Sequence, residues 1–584
     1  MSPLFKEEDT NLHLTNPVTR DLPHSFKDLT TGWIAKSRKE LNLPFVEKYT
    51  LEDETFVPEL LSKKSTVSTE HISKDNNVVG VVEGDSNQDE EYDSLFSDGY
   101  VNNSIGTAST CLSQIYGKQY TNSRAIQNVS SIAFVGTVVG QLTFGYISDN
   151  YSRKNAMIVG TLIIILFSIL CSGAWGVGTT GTNAGGLFAA VTAYRFFLGI
   201  GIGSEYPAGS VAAQEAASLL PAGKRNRWFC WFTNFMIDFG FVASSVVPLV
   251  MLRICGTKHL QPVWRITLGL GAIPPLSLFF MRLKYKEGEK FKRTKFNKTP
   301  PYWLSIKFYW FRLAVVAIIW FIYDFSAYAF GTYSSLILDI ILGEDTSLVK
   351  TFGWNIVFNL FYLPGAFIGA YLADYIGPRL TLVSGVLLQA MVGYILAGCF
   401  KTLRTEIGAF VVVYGIFMAL GEFVGDTIGL LASNTVATPI KGQYYSIAAA
   451  VGKIGAFVGT WVFPAIIKSH GGYDSTTGLQ APYWVSSSLC CFAGVLALFF
   501  LPSVNQYSSG QEDKRYLEYL AANGYDISSM GLQNKKSGST DVESLGISSS
   551  MENQNITDMT VTEVDNAEEK DKNLHIDVVR TETY

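Results

Sequence analysis

Charged residues are scarce over most of this chain. Asp, Glu, Lys and Arg make up 16% of its 584 residues, and the formal net charge of −5 arises largely in the two ends. From about residue 129 to 501 the sequence is a series of apolar stretches, each roughly 20 residues long and sufficient for a helix to cross a ~30 Å hydrocarbon core. A soluble fold would require helices with one charged face, whereas segment 157–176, MIVGTLIIILFSILCSGAWG, is apolar all round. This composition predicts a polytopic membrane protein in a lipid bilayer.

Sequence features of enzymes and of nucleic acid-binding proteins are also missing. The seven cysteines lack metal-ligand spacing and form no disulfide framework of the secreted type. The sequence shows no metal cluster, nucleophile triad or cofactor loop, so we expect no metal, no cofactor and no enzymatic activity. The net charge gives no reason to expect a nucleic acid partner. The start, MSPLFKEEDTNLHL, has no apolar core of a signal peptide, so the first membrane helix is expected to direct insertion.

The hydropathy of the sequence, with Gly, Pro and charged residues marking the ends of apolar stretches, predicts eleven clear membrane spans and one ambiguous span. The clear spans are 129–148, 155–175, 186–212, 228–252, 263–283, 313–341, 354–375, 380–400, 406–431, 443–466 and 482–501. The ambiguous span, near 93–116, would be the first membrane helix. Lys and Arg concentrate in loops such as 282–312, and the positive-inside rule places these loops in the cytosol. That orientation requires the first helix to exist and puts both termini in the cytosol.

An internal repeat relates two parts of the membrane region. GQLTFGYISDNYSRK at 140–154 and GAFIGAYLADYIGPR at 365–379 share a Gly, an Asp nine residues later and a basic residue after a small turn, at an offset of 225 residues. We assign this shared segment to a gating loop, whose charged residues are Asp149, Arg153, Asp374 and Arg379. Asp98 and Asp324 stand 226 residues apart, each in the first helix of its half. The repeat predicts two six-helix halves with these two acids facing a cavity between them.

The expected architecture is an all-α membrane protein with twelve membrane helices. Its N-terminal half would span 93–283 and its C-terminal half 313–502, joined by a basic cytosolic loop at 284–312. The polar tails, 1–92 and 503–584, cannot bury enough apolar surface to offset their ordering entropy, so we expect both to be disordered in the cytosol.

Seven charged residues fall inside the predicted spans, where each costs about 2.5–3.5 kcal/mol at the helix centre. They are Asp98, Arg195, Glu205, Asp238, Asp324, Asp426 and Lys453. A helix-end residue that reaches water, or a structural ion pair, is the alternative to function at each position. Trp320, Asp324 and Tyr328 recur every four residues in WFIYDFSAY and would line one wall of a helix. Lys453 is the sole cation of AAAVGKIGAFVG, which indicates an anionic ligand.

The membrane region, 95–502, resembles the major facilitator superfamily and, within it, the phosphate:proton symporter branch. The similarity is greatest to fungal glycerophosphodiester permeases, which take up glycerophosphoinositol or glycerophosphocholine. The motifs that carry this resemblance are SDGYVNNSIG (97–106), DNYSRK (149–154), GIGIGSEYP (199–207), CGTKHL (255–260), WFIYDF (320–325) and GKIGAFVG (452–459).

The resemblance implies roles for individual residues. The residues that would bind substrate are Tyr206, Trp320, Asp324, Tyr328 and Lys453. Those that would couple transport to protons are Asp98, Glu205 and Asp324. Further candidates at the site are Arg195, Asn234, Asp238, Gly425 and Asp426. Phosphate symporters carry an Asn where this chain has Gly425, and we expect the smaller residue to leave room for a substituent on the phosphate.

These features predict a monomeric plasma-membrane symporter that imports an anionic phosphodiester by alternating access, driven by the proton gradient. An inorganic phosphate symporter is one alternative, which Gly425 disfavours. A non-transporting nutrient sensor is another, supported by the long tails, which could make regulatory contacts, and by the first helix. Segment 81–93, VVEGDSNQDEEYD, carries six acids where relatives have an apolar half-helix. A faulty gene model, a short first helix or a degenerate transporter would each produce this segment.

Overall fold

Helices account for nearly all of the chain that the structure describes. This computed structural model describes residues 95–121, 123–218, 220, 223–285, 289–297, 299–342, 347–502, 504, 508–527 and 530. Over these ranges one isolated antiparallel bridge, between Phe296 and Met530, is the sole strand-like pairing. The expectation of an all-α protein is confirmed.

The eleven clear membrane spans are also confirmed. The first helix, α1, spans Phe96–Tyr116. The next eleven helices are long and apolar enough to cross a membrane: α2 Ala125–Asn150, α3 Arg153–Ser172, α4 Leu187–Ser218, α5 Arg225–Cys255, α6 Leu260–Arg282, α7 Tyr302–Leu342, α8 Leu348–Tyr375, α9 Pro378–Gly398, α10 Ile407–Asn434, α11 Thr438–Ser469 and α12 Thr476–Phe500. A further helix, α13, spans Ser508–Ala522.

The first helix is polar and yet buried. Every residue from Ser97 to Leu112 is shielded from solvent, because α1 packs against α2, α5, α6 and α7. Its hydroxyls donate to carbonyls of its own backbone, as Thr107 does to Ser104 at 3.1 Å. A helix enclosed by other helices does not need an apolar surface for lipid, which explains why its sequence signal is weak. The acidic segment before it, 81–93, lies outside the described residues.

The two halves, α1–α6 and α7–α12, contact each other through pairs of helices that the internal repeat relates. In the repeat, α2 corresponds to α8 and α5 corresponds to α11. The contacts follow this relation, since α2 packs on α11 and α5 packs on α8. A cavity lies between the halves, lined by residues of α4, α5, α7, α10 and α11.

The predicted central loop is too long by eleven residues. Residues 302–312, expected in the loop, form the first turns of α7, which extends over 41 residues. The segment from Tyr302 to Phe330 contains neither Gly nor Pro, so nothing in it ends a helix. At 1.5 Å per residue, α7 is longer than a membrane is thick and extends beyond it.

The prediction of a disordered C-terminal tail is wrong for α13, which packs against the C-terminal half. Tyr516 is fully buried. Glu512 forms an ion pair with Arg312 of α7 at 3.0 Å. Asp513 accepts hydrogen bonds from the backbone N–H and the hydroxyl of Thr438, at 2.6 and 2.9 Å. These tertiary contacts supply the burial that the polar composition of the tail does not indicate. The rest of both tails lies outside the described residues.

Docking of α13 predicts a stability effect that can be measured. Tyr516→Ala removes a buried ring and should cost ~3 kcal/mol or more, the range for truncating a buried aromatic side chain. The purified protein in detergent should therefore unfold several degrees lower. Lys514→Ala, at an exposed position of the same helix, is the control and should leave the transition unchanged. Equal transition temperatures for both variants would show that α13 does not contribute to the fold.

Candidate functional site

Close packing of α7 and α11 brings Lys453 to Asp324. A Cβ atom at Gly455 would lie 2.2 Å from the carbonyl oxygen of Phe321, and a Cβ at Gly459 would lie 2.2 Å from that of Phe325. Any side chain at these positions would push the helices apart, because the neighbouring atoms belong to rigid backbone. The two glycines, one turn apart, therefore set the distance between the helices beside Lys453.

The ammonium group of Lys453 is the centre of a buried polar cluster. Its Nζ lies 3.3 Å from Oδ2 of Asp324 and donates a hydrogen bond of 2.5 Å to the hydroxyl of Tyr328. The ring centroids of Tyr328 and Tyr206 lie 3.8 and 5.0 Å from the same Nζ. Both charged side chains are 1% exposed. One carboxylate and two aromatic rings thus compensate the buried cation.

Asp98 joins this cluster from the N-terminal half. Its Oδ1 accepts a hydrogen bond from Asn102, and its Oδ2 accepts one from the hydroxyl of Tyr206, both at 2.5 Å. Tyr206 stands in a wide π-helical turn of α4, Glu205–Ser210, and connects Asp98 with Lys453. Such turns frequently occur at functional sites. The two acids related by the repeat, Asp98 and Asp324, therefore contact one shared group of residues.

The cavity beside this cluster is narrow in this structure. Its volume is about 50 Å³, whereas pockets that hold small ligands measure ~300–1,000 Å³. The predicted site residues that line it are Tyr206, Asn234, Asp238, Trp320, Asp324, Tyr328, Gly425 and Lys453. The structure thus brings together most of the residues that the sequence singled out, around a cavity smaller than ordinary ligand pockets.

A second group of acids adjoins the cavity, and we call Asp238 and Glu422 the acidic pair. Oε2 of Glu422 accepts hydrogen bonds from Nδ2 of Asn234 at 2.8 Å and from the hydroxyl of Tyr323 at 3.4 Å. Asp238 is 0% exposed, and its carboxyl group lies against that of Glu422. Neither of its oxygens accepts a hydrogen bond from an N–H or O–H donor among the described residues. Asp426 is also buried but does not line the cavity, and its Oδ2 lies beside Gly369.

Gly425 does not leave the free space that we expected from the sequence. A Cβ atom there would lie 2.5 Å from the hydroxyl of Tyr323 and 2.6 Å from Oδ1 of Asn234. These two side chains occupy the room that the missing side chain provides. The glycine therefore allows Asn234 and Tyr323 to reach Glu422, and it does not itself enlarge the cavity.

Two predicted site residues lie elsewhere. Glu205 forms a buried bidentate ion pair with Arg282 of α6, whose NH1 lies 2.7 Å from Oε1. Arg282 also donates to Thr161. Arg195 is 0% exposed, lines no part of the cavity, and its guanidinium nitrogens have no hydrogen-bond partner in the described ranges. The structure therefore places neither residue with Asp98, and the proton-coupling role of Glu205 stays a prediction.

The acids of the repeated motif connect the two halves. Asp149 at the end of α2 accepts hydrogen bonds from the backbone N–H groups of Gly442 and Gln443, at 3.1 and 2.7 Å, in the first turn of Lys441–Ser469. Asp374 at the end of α8 accepts one from the N–H of Asn226 at 3.2 Å, in the first turn of α5. Each acid thus caps a helix N-terminus of the opposite half, where a negative charge is stabilised.

The basic residues of the motif have different partners. Arg153 forms an ion pair with Glu215 of α4 at 2.5 Å, within its own half. Arg379 donates to the carbonyl oxygen of Leu501 at 3.4 Å. The cation that pairs with Asp374 is Arg227 of the opposite half, at 2.9 Å. The acids therefore hold the halves together, and the motif arginines brace the individual halves.

Sequence reasoning missed two contributors to the site, Glu422 and Tyr323, and the partner of Glu205, Arg282. Glu422 stands four residues before Asp426 in an apolar span, so the rule for charges in membrane helices would have identified it. Tyr323 lies inside the WFIYDF motif but outside the every-fourth-residue pattern of its helix. Arg282 was counted as part of a basic loop, and only the tertiary structure shows that it pairs with Glu205.

Two family models match the chain. The model "Sugar (and other) transporter" matches residues 90–295, and the model "Major Facilitator Superfamily" matches residues 320–524. Among solved structures, the proton:xylose symporter XylE has the same fold, with a TM-score of 0.60 at 16% identity over 74% of this chain and 98% of that one. The fold and both family models place the chain in the class of multi-pass membrane transporters.

Similarity to curated relatives identifies the family of transporters to which the chain belongs. The glycerophosphodiester transporter GIT2 of Candida albicans is 50% identical over 532 residues, which cover 90% of this chain and 96% of that protein. The glycerophosphocholine permease GIT4 and the major glycerophosphoinositol permease GIT3 of the same organism are each 50% identical over 88% of this chain and 94% of their own length. The chain therefore belongs to the glycerophosphodiester permease family of the major facilitator superfamily.

The ion pair between Glu205 and Arg282 predicts a stability defect that a second substitution reverses. Glu205→Gln leaves a buried guanidinium without its partner and should cost about 3–5 kcal/mol. The double variant Glu205→Gln, Arg282→Gln has no unpaired charge and should recover much of that loss. Thermal unfolding of the purified variants checks both statements. A stable Glu205→Gln protein whose uptake no longer depends on pH would instead support the proton-coupling role.

Proposed function

We propose that the protein is a proton-coupled symporter that imports glycerophosphodiesters across the plasma membrane by alternating access. The observation that carries this proposal is the buried ammonium of Lys453, held between Asp324 and Tyr328 in a cavity between the halves. A phosphodiester carries one negative charge, which this ammonium can balance. The names of the relatives, glycerophosphodiester, glycerophosphocholine and glycerophosphoinositol permeases, indicate the same substrate class.

Charge balance around Lys453 supports coupling to protons. The single ammonium contacts Asp324 directly and Asp98 through Tyr206, so the cluster carries one cation and two carboxyl groups. With both carboxyl groups ionised, a phosphodiester would enter a site with an excess of negative charge. Protonation of Asp324 would free the ammonium to bind a phosphate oxygen. Proton and substrate would then bind together and move in the same direction, and no cofactor is required.

Contacts on both sides of the cavity support alternating access. On one side, Asp149 and Asp374 cap helices of the opposite half. On the other side, Asn103 of α1 donates to Asn359 of α8 at 3.2 Å, and Thr110 of α1 bonds Ser335 of α7 at 3.0 Å. Both sets of contacts are formed in this structure, around a cavity of about 50 Å³. Opening either set would expose the site to one side of the membrane.

The proposal includes the orientation of the protein in the membrane and its oligomeric state. The basic loops and the positive-inside rule favour a plasma-membrane topology with both termini in the cytosol. The cavity is formed by helices of a single chain, so a monomer is sufficient for transport. The contacts of Asp149 and Asp374 would then form the cytosolic gate.

Uptake assays test the proposal in cells that lack their own glycerophosphodiester permeases. Asp324→Asn and Lys453→Gln should each lower uptake about tenfold or more, a loss equivalent to ~1.4 kcal/mol of interaction. Uptake by the unmodified protein should increase as the external medium is acidified. Asp324→Asn should remove that increase, because an amide cannot bind the coupled proton.

Lys468→Gln is the matched control, because it removes an exposed cation from the last turn of the same helix as Lys453. It should transport like the unmodified protein. Excess inorganic phosphate should compete poorly with labelled glycerophosphodiester. Strong competition by phosphate would favour a phosphate symporter, and full activity of Asp324→Asn with unchanged pH dependence would contradict the proposal.

A further inference from the structure

The acidic pair, Asp238 and Glu422, has no task in the mechanism above although it lines the same cavity as Lys453. Asp238 comes from α5 of the N-terminal half and Glu422 from α10 of the C-terminal half. The pair is therefore assembled only where the two halves meet around the cavity. Both side chains are shielded from solvent, with exposures of 0% and 2%.

Asp238 is the more informative member of the pair. Its carboxyl group lines the cavity beside that of Glu422, and neither oxygen accepts a hydrogen bond from an N–H or O–H donor among the described residues. Burial of an unpartnered carboxylate is costly, whereas a cation beside it offsets that cost. Glu422, in contrast, receives hydrogen bonds from Asn234 and Tyr323, which fix its position. Glu422 is thus held by two donors, whereas Asp238 has none among the described residues, as expected for a site that receives its cation from a ligand.

Aromatic side chains next to the pair suit one particular kind of cation. Tyr323 and Phe241 line the cavity together with Asp238 and Glu422. Aromatic rings attract quaternary ammonium groups, which cannot donate hydrogen bonds and instead lie against ring faces and acidic side chains. A carboxylate without a hydrogen-bond donor is compatible with such a ligand. The lining therefore resembles a site for a substituted ammonium group more than a site for a polyol.

We propose that the acidic pair binds the cationic head group of a zwitterionic glycerophosphodiester while Lys453 binds its phosphate. This inference rests on the proposed function and narrows the substrate to phosphodiesters with a quaternary ammonium head group, of which glycerophosphocholine is the example. Such a molecule places one negative and one positive charge in the cavity. The protein offers the ammonium of Lys453, once Asp324 is protonated, and the acidic pair. An inositol head group has no charge to offset that of Asp238, so its phosphodiester binds less tightly.

Parallel uptake of labelled glycerophosphocholine and glycerophosphoinositol tests this inference, with the surface level of each variant measured in the same cells. Asp238→Asn and Glu422→Gln should each lower the ratio of glycerophosphocholine to glycerophosphoinositol uptake about tenfold, equivalent to ~1.4 kcal/mol. Asp339→Asn is the matched control, because it makes the same change in α7 at a position that does not line the cavity and whose partner is Thr351. It should leave the ratio unchanged, whatever its surface level.

A measurement on the unmodified protein does not depend on the folding of any variant. The competitor is a neutral isostere of glycerophosphocholine in which carbon replaces the quaternary nitrogen. It should inhibit labelled glycerophosphocholine uptake about tenfold more weakly than unlabelled glycerophosphocholine does. Equal inhibition by the two compounds would overturn the inference. An equal loss of both substrates in Asp238→Asn and Glu422→Gln, or an unchanged ratio, would also overturn it and assign the pair to proton coupling or folding.

Failure of the inference differs from failure of the proposed function. If the unmodified protein takes up glycerophosphoinositol and glycerophosphocholine and the variants do not alter their ratio, the proposed function stands and the acidic pair does not select the head group. If the unmodified protein, present at the cell surface, takes up neither compound, the proposed function itself is wrong and the inference is wrong with it.

Discussion

A lysine buried between two halves of a membrane protein is the constraint on which the rest of this structure depends. A charge at the centre of a membrane helix costs about 2.5–3.5 kcal/mol on insertion scales, so Lys453 is tolerated only with its partners in place. Those partners come from α4 and α7, which supply Tyr206, Asp324 and Tyr328. Asp324 and Tyr328 belong to the same half as Lys453, so separation of the halves would remove Tyr206, and Asp98 behind it, from the ammonium. The charge that serves the ligand therefore also stabilises the closed arrangement of the helices.

Contacts made by residues of the internal repeat also stabilise the closed arrangement of the two halves. Asp149 and Asp374 occupy equivalent positions, and each caps a helix of the opposite half. Because the two contacts are related by the repeat, they lie on the same side of the molecule and can break together. The contacts of Asn103 and Thr110 lie on the other side. Two separate sets of polar contacts, with the cation cluster between them, allow one side to open while the other stays closed.

Much of this arrangement could be predicted from the sequence, because a bilayer restricts the possibilities severely. It fixes the length of the spans, and it makes each internal charge conspicuous, so Asp98, Asp324 and Lys453 could be placed at one site. The repeat predicted that the two acids would meet. The extent of α7 was underestimated because the basic residues of 302–312 suggested a loop, although nothing there ends a helix.

Other features depend on tertiary contacts that no local pattern encodes. The partner of Glu205 comes from the end of α6, and the space beside Gly425 is filled by side chains of α5 and α7. Helix α13 is stabilised by α7 and by Thr438, not by its own composition. In each case the sequence shows which residue is present, but the role of that residue depends on the neighbours that the tertiary structure brings to it.

The sequence shows several acids in membrane helices but not how they differ. In the structure they differ in the groups that form hydrogen bonds or ion pairs with them. Glu205 has a bidentate guanidinium partner, and neutralising either member of the pair would leave the other as an uncompensated buried charge. Asp98 is held by the neutral donors Asn102 and Tyr206, and Asp324 shares the ammonium with a tyrosine. Asp238 accepts no hydrogen bond from an N–H or O–H donor among the described residues. A buried carboxyl group exchanges a proton or accepts a ligand most readily where its resident partner is weak or missing, because such a partner is easier to replace. The acids of this cavity that can exchange protons or bind a ligand are therefore those with the fewest or weakest hydrogen-bond and ion-pair partners in the protein.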